Sequence, residues 1–381
     1  MERVHRIFLM PGFFGFGRLA GYDYFGHVSR GLASRLDERG IRFSIEVVPC
    51  PPTASIRRRA RFVAETILAA KHGPDDPIHL VGHSTGGLDA RMVASPTTDL
   101  GPLEGLAEAR ARIASVVSIS TPHHGTPLAQ FFATVSGTRL LYALSLLTVT
   151  TLSVGGPPLT AATALLSSLK GLDDALGLDV GLFDESIALI LRFLGDRGRG
   201  EVRDWLERVR TDQGALLQLT PEAMDVFNAG VVDAGAVRYG SIVNSSPPPG
   251  AIRLATRMRK PFDALSSAIY ATIYAVTAAA HETYPYPAPG EGALSVLEGY
   301  LGRDVTERFN DGVVPTLSMV HGTVIWAGPA DHLDVVGHFH GGPMGPGHTD
   351  WLASGARFTR PQFDEMLDRL ARFLVADGTK G

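Results

Sequence analysis

Gly82, His83, Ser84, Thr85 and Gly86 have the Gly-x-Ser-x-Gly spacing that leaves a serine hydroxyl exposed at a sharp turn between a strand and a helix. The glycines on either side let the two backbones approach each other. An apolar run, "IHLV" (78–81), precedes the pentapeptide, and a helix-capable run, "GGLDARMVA" (86–94), follows it. A serine hydroxyl is a poor nucleophile until a base takes its proton and donors stabilise the oxyanion that forms on the attacked group. One such donor is the N–H of the residue after the serine, Thr85. A second must come from a loop after an early strand, and "MPGFFGFGR" (10–18) supplies it. Phe13 is the expected donor and Phe14 the alternative. Phe14 and His83 are also candidates to face a substrate, although for His83 the expected role is structural, with its imidazole packed under the elbow.

A base must be sought among the histidines. The stretch "DHLDVVGHFHGGPMGPGH" (331–348) holds four of them, His332, His338, His340 and His348. Read alone it supports two chemistries, a general base or an imidazole site suited to zinc. The run from His338 to His348 is rich in glycine and lacks the fixed spacing of a helix, which weighs against a metal; no metal and no cofactor are assigned. His123 and His124 follow Pro122 on a loop, where hydrogen bonding to neighbouring loops is the expected role.

The elements that would position these groups alternate along the chain. Six strand-like runs, 4–10, 43–49, 77–83, 112–120, 237–245 and 322–328, are mostly apolar on both faces, which predicts a parallel sheet covered by helices. Helical stretches lie between them at 54–71 and from Thr359, where Phe363, Met366, Leu367, Leu370, Phe373 and Leu374 recur at helix spacing. The reading is a doubly wound α/β architecture. With 381 residues, 45% of them apolar, the chain can bury a large core without staples. A formal charge of −4 provides no field for nucleic acid, and the basic run "RRRAR" (57–61) reads as a solvated helix face. Cys50 is alone, so no disulfide forms within the chain. The start carries no signal-peptide pattern, so the expectation is a cytoplasmic protein, or a secreted one if a leader has been removed.

Over a hundred residues separate the strand ending near Ser120 from the one starting near Val237, more than a crossover helix needs. Within them, residues 140–169 carry no charge, but "GGPP" (155–158) splits the run into halves shorter than the roughly 20 residues that span a bilayer. A helical hairpin fits, either a buried one or an apolar lid over a greasy site. The uncharged run 264–280 is a candidate to line the same cavity. The domain reading is a core first part at 1–126, a helical cap or lid insertion at 127–235, and a core second part at 236–381, with a further cap segment at 262–305.

These motifs resemble the α/β-hydrolase superfamily, and specifically bacterial triacylglycerol lipases of the thermophilic Bacillus type and their relatives. "PGFFGFGR" (11–18) is similar to that group's His-Gly-Phe-x-Gly-x-Gly-Arg loop, with Pro11 in place of the usual histidine; "STPHHGT" (120–126), "NDGVVPTLSM" (310–319) and "DHLDVVG" (331–337) resemble its other segments, in the same order. The resemblance implies an α/β-hydrolase fold and a triad in the order Ser84, Asp311, His332. His332 would shuttle the proton, and Asp311 would hold the imidazole. Asp331 and Asp334 are left as turn or capping residues. The family's zinc insertion has no counterpart here. The implied activity is hydrolysis of hydrophobic acyl esters, with a lipid interface contacted through the cap and no obligate protein partner. A polyester depolymerase and an acyltransferase share such a triad, and a catalytically inactive lipid-binding relative is the alternative of another class.

Overall fold

The computed structural model describes residues 3–13, 18–19, 22–134, 141, 144, 196–212, 214–250, 261–279, 285–302, 304–339, 352 and 354–376. Six parallel strands form one sheet: β1 (His5–Met10), β4 (Phe43–Val47), β5 (Ile78–His83), β6 (Ile113–Ile119), β7 (Arg238–Ser245) and β8 (Thr323–Pro329), in the order β4-β1-β5-β6-β7-β8. They coincide, within a residue or two at each end, with the six apolar runs of the sequence. Among the described residues, two further strands, β2 (Arg18–Leu19) and β3 (Tyr22–Asp23), pair antiparallel with each other.

The two-sided apolar pattern of the strands has a direct cause in their packing. Ile7 and Leu9 of β1 point to one face, with Val81, Val117 and Ile242, where α1 (Gly26–Glu38) and a C-terminal helix (Arg360–Val375) cover them. Phe8 and Met10 point to the other, with Ile78, Leu80 and Val116, under α2 (Ile56–Ala69) and α3 (Thr85–Ala94). Alternate residues of a strand face opposite ways, so a sheet covered on both sides needs apolar residues at every position. Each such side chain contributes roughly 1.5–3 kcal/mol on full burial.

The basic run at 57–61 departs from its expected role. Arg59 is fully buried and forms an ion pair with Asp89 of α3, with 2.7 Å between Nη2 and Oδ2. Its guanidinium also donates to the carbonyls of Pro11, Pro51 and Pro52. Helix period explains the burial: Arg59 falls on the inward face of α2 with Ile56, Ala60, Val63 and Ile67.

The chain continues through α4 (Leu106–Ala111), α5 (Pro127–Phe132), α6 (Asp196–Thr211), α7 (Gly214–Gln218), α8 (Pro221–Gly230), α9 (Pro261–Ala279) and α10 (Glu291–Leu301), with the C-terminal helix as α11. Among the described residues, no helix is long and apolar enough to cross a membrane. Apart from Leu141 and Leu144, the apolar run 140–169 lies outside the described residues.

Strand order locates the site. The chain runs from β1 outward to β4 on one side and then returns to β5 on the other, so the order reverses between β1 and β5. In such sheets the loops at the carboxyl ends part at the reversal and leave a crevice. Met10 pairs with Gly82 in register, so two residues further on Gly12 and Ser84 lie side by side in that crevice.

Candidate active site

Ser84 sits between β5 and α3 with φ 54° and ψ −128°, a left-handed conformation that costs an L-residue energy and persists only where the surroundings enforce it. Its N–H is held by the carbonyl of Ile119 at 2.8 Å. The flanking glycines are needed because the turn is so tight. A Cβ on Gly82 would meet the Gly86 carbonyl carbon and oxygen at 2.1 Å, and one on Gly86 would meet the Met10 carbonyl oxygen at 2.2 Å. Thr85 opens α3, where the first N–H groups of a helix have no carbonyl one turn earlier to bond. Gly12 lies against Ser84, so its Cβ would come within 3.3 Å of Ser84 Oγ, and the next residue, Phe13, lines the same cavity as the serine. Phe14 lies outside the described residues.

His332 follows β8. Its Nδ1 donates to Asp311 Oδ2 at 2.7 Å, and the His332 backbone N–H donates to the Asp311 carbonyl at 3.2 Å. Nδ1 is thereby committed, and Nε2 is left as the nitrogen able to accept a proton. Asp311 is fully buried, its Oδ1 taking the N–H groups of Val313 and Val314 at 2.9 and 2.7 Å. This turn depends on the neighbours seen in the sequence: Asn310 accepts from the Gly312 N–H, and Gly312 takes a φ of 97°. Asp331 caps the histidine loop by accepting from the N–H groups of Leu333 and Asp334. Burial, with the charge of Asp311 close by, pushes its carboxyl up to about 6.

Ser84 and His332 line one cavity that is partly open to solvent. Its other walls are almost wholly apolar and include Leu128, Ala129 and Phe132 of α5, Leu216 of α7, Leu219 and Val313. Ser84 Oγ and the His332 ring face this space without a hydrogen bond between them, a common looseness before substrate binds. Among the described side chains of α9, residues 266–279, none lines the wall; Tyr270 packs under the acid loop, its hydroxyl donating to the Pro247 carbonyl at 2.5 Å and lying 2.7 Å from Ser246 Oγ.

His83 could pack under the elbow or face a substrate, and its contacts are those of the first role. It is fully buried, its Nε2 donates to the His332 carbonyl at 2.8 Å, and its Nδ1 accepts from the Tyr24 hydroxyl at 2.6 Å. A carbonyl only accepts, so Nε2 must carry the proton and Nδ1 must be the acceptor. Burial, then the nearby His332, holds the His83 imidazole neutral, well below its usual range. Both nitrogens are spent inside the protein, which leaves none for a ligand.

His123 and His124 were expected to bond neighbouring loops; the His123 ring instead meets β6 and α3. His123 Nε2 lies 2.9 Å from Ser118 Oγ, and the His124 N–H donates to Ser318 Oγ at 3.0 Å. Of the histidines weighed as a metal site, His338 is buried with its ring 5.5 Å from that of His27, while His340 and His348 lie outside the described residues. Among the described residues, no group of three or more His, Cys, Asp or Glu is placed to hold a metal ion.

Three residues of this site were not singled out from the sequence. Tyr24 joins the loop after β1 to His83, and no local pattern marks it. Arg59 ties the same loop to α3 through Pro11 and Asp89, and its place in the period of α2 was the available signal. Asn244, near the end of β7, donates to Asp311 Oδ2 at 3.2 Å, and as a large polar residue directly after the apolar pair Ile242 and Val243 it could have been flagged.

A six-stranded parallel sheet covered by helices on both faces, with a strained serine elbow after β5 and an Asp–His pair beside it, defines the α/β-hydrolase fold. The chain superposes on lipase 1 from Pelosinus fermentans with a TM-score of 0.50 at 18% identity, over 97% of this chain and 99% of that one. It is 30% identical over 165 residues to a triacylglycerol lipase of Pseudomonas fragi, and 34% identical over 125 residues to one from Vibrio cholerae serotype O1. The matched regions cover 43% and 32% of this chain, and 47% and 34% of those relatives, so the chain spans about half or less of the curated relatives it matches. No family model matches it. Its matched segments are thus similar to bacterial triacylglycerol lipases, and the chain as a whole shares the fold of a bacterial lipase.

Proposed function

We propose that this protein is a serine carboxylester hydrolase acting on hydrophobic acyl esters through an acyl-enzyme. One observation carries the reading: a strained serine and a histidine already paired with a buried carboxylate line the same apolar cavity. In this mechanism Ser84 Oγ attacks the acyl carbon while His332 Nε2 takes its proton. Asp311 stabilises the imidazolium and fixes its tautomer. The N–H groups of Thr85 and Phe13 donate to the oxyanion. His332 returns the proton to the leaving alcohol, and a water activated by the same imidazole then hydrolyses the acyl-serine. The wall of Leu128, Phe132, Leu216 and Leu219 favours an acyl chain over a polar group, since burying a polar group there without a partner is costly.

Rates on p-nitrophenyl esters from two to sixteen carbons, and on emulsified triglyceride, test this. Hydrolysis that rises with chain length and is lost in Ser84→Ala, by about 10⁴-fold or more with the fold retained, is the expected result. No ester cleavage by the wild type, or cleavage that survives Ser84→Ala, would overturn it.

A further inference from the structure

Asn244 occupies a position that the chemistry proposed above leaves without a role. It is fully buried on β7, and its Nδ2 group faces three acceptors: Asp311 Oδ2 at 3.2 Å, the Ala330 carbonyl at 3.2 Å and the Asp331 carbonyl at 3.0 Å. None of these can donate, so the amide nitrogen, and not its oxygen, must point at them. On the other side, Ser120 Oγ donates to Asn244 Oδ1 at 2.5 Å. Ser120 is itself fully buried and held in the left-handed region, with φ 49°. Its backbone is fixed there by its N–H bond to the Ile242 carbonyl at 3.0 Å. A non-glycine residue in this conformation is unfavourable, and the hydroxyl is what a glycine at this position would lack.

We propose that Asn244 is a positioning residue for the triad, with Ser120 locking its amide so that it holds Asp311 Oδ2 and the chain leading into His332 in one arrangement. The proposal rests on the assignment of Ser84, Asp311 and His332 as the reacting set. Asp311 Oδ2 is the same oxygen that His332 Nδ1 contacts, so the amide shares the charge that the imidazolium would feel. The Ala330 and Asp331 carbonyls belong to the two residues immediately before His332, so the same amide also sets the path of that loop. The titratable groups packed around the pair are His83 of β5, its ring 4.7 Å from that of His332, Tyr24 behind His83, Asp331 in the loop, and Tyr270 of α9.

Two variants test this, each measured by steady-state kinetics across pH and by the low-field proton resonance of His332 Nδ1, assigned by its loss in His332→Phe. Ser120→Gly removes the hydroxyl while relieving the left-handed backbone, so its fold is safe. Asn244→Leu removes the whole amide. Asn244→Leu should lower kcat by about tenfold with KM unchanged, the loss expected for one hydrogen bond to a charged group. Ser120→Gly should lower it by a few-fold. In both, the acidic limb of kcat/KM should move to higher pH, because an Asp311 oxygen relieved of a donor holds the imidazolium more firmly, and the Nδ1 resonance should shift. An unmoved limb and an unmoved resonance in Ser120→Gly, and in Asn244→Leu if it folds, would overturn the proposal. If the wild type cleaves no ester, or Ser84→Ala still does, the hydrolase reading fails, and the Nδ1 resonance alone then decides whether Asn244 sets the Asp311–His332 bond.

Discussion

The imidazole of His83 donates through Nε2 to the backbone carbonyl of His332, across a separation of 249 residues in the chain. The residue before the nucleophile therefore holds the loop that carries the base. Tyr24 completes the link: its hydroxyl donates to His83 Nδ1 and accepts the Gly12 N–H, so the oxyanion loop, the elbow and the histidine loop share one buried chain of bonds. Replacing His83 by Leu leaves both the carbonyl and the hydroxyl without that partner. A loss of roughly 1–3 kcal/mol per orphaned group is expected, with a drop in kcat. Tyr24→Phe, which takes the donor from His83 Nδ1 and the acceptor from the Gly12 N–H but leaves the His83–His332 bond in place, should cost less, about 1 kcal/mol per bond lost. Denaturant unfolding of both variants checks the order; equal stability of His83→Leu and wild type would show that this chain of bonds carries no weight.

The Arg59–Asp89 pair is fully buried on both sides and anchors Pro11, the residue before Gly12. Breaking such a pair leaves a lone buried charge, so Arg59→Met should destabilise by roughly 3–5 kcal/mol. Removing both charges, with Asp89→Leu added, should recover part of that loss, although the carbonyls of Pro11, Pro51 and Pro52 still lose their donor. A double-mutant cycle by chemical denaturation measures the coupling. Additive losses would mean that the two charges are stabilised independently.

Gly86→Ala should be far more damaging than its one added methyl suggests. The methyl would sit 2.2 Å from the Met10 carbonyl oxygen, which is backbone and cannot swing aside. A loss above about 4 kcal/mol, or insoluble protein, is expected. Gly40→Ala is the control: it has a positive φ of 67° and open space around it, so it should cost only about 1–2 kcal/mol. Comparable stabilities for the two variants would argue that β5 and α3 can separate.

Acid should destabilise the fold in a defined window. His83 and His123 are held neutral, well below the usual imidazole range, and His79 is pushed down to about 3, burial being the main cause in each. The unfolded chain protonates these rings near pH 6.5, while the folded one does not. Below that pH the unfolded state binds more protons, so stability falls as pH drops, by up to ~1.4 kcal/mol per pH unit for each histidine. Tm measured from about pH 7 to about pH 5 should decline steadily. A flat profile would mean that the rings gain protons inside the folded protein.

What could be read from the sequence, and what could not, follows the range of the interactions involved. The six strands were legible because a sheet covered on both faces needs apolar residues at consecutive positions, and that is a local pattern. Gly82 and Gly86 announced the elbow for an equally local reason, since a strand cannot turn so tightly into a helix around side chains. Asp311 and His332 could be named only through resemblance, and the fold brings them to 2.7 Å. Tertiary structure alone decided the rest. His83 could be read as packing under the elbow or as facing substrate, and alternation along β5 turns it inward, onto a carbonyl supplied by β8's loop. Arg59 looked solvated because it lies among other arginines, yet the period of α2 buries it against Asp89. Asn244 and Ser120 acquire meaning only where β6, β7 and the two catalytic loops converge. A hydrogen bond between residues far apart in the chain leaves no mark on either local sequence, and bonds of that kind, from the 21 positions between Asp311 and His332 to the 249 between His83 and His332, hold this site together.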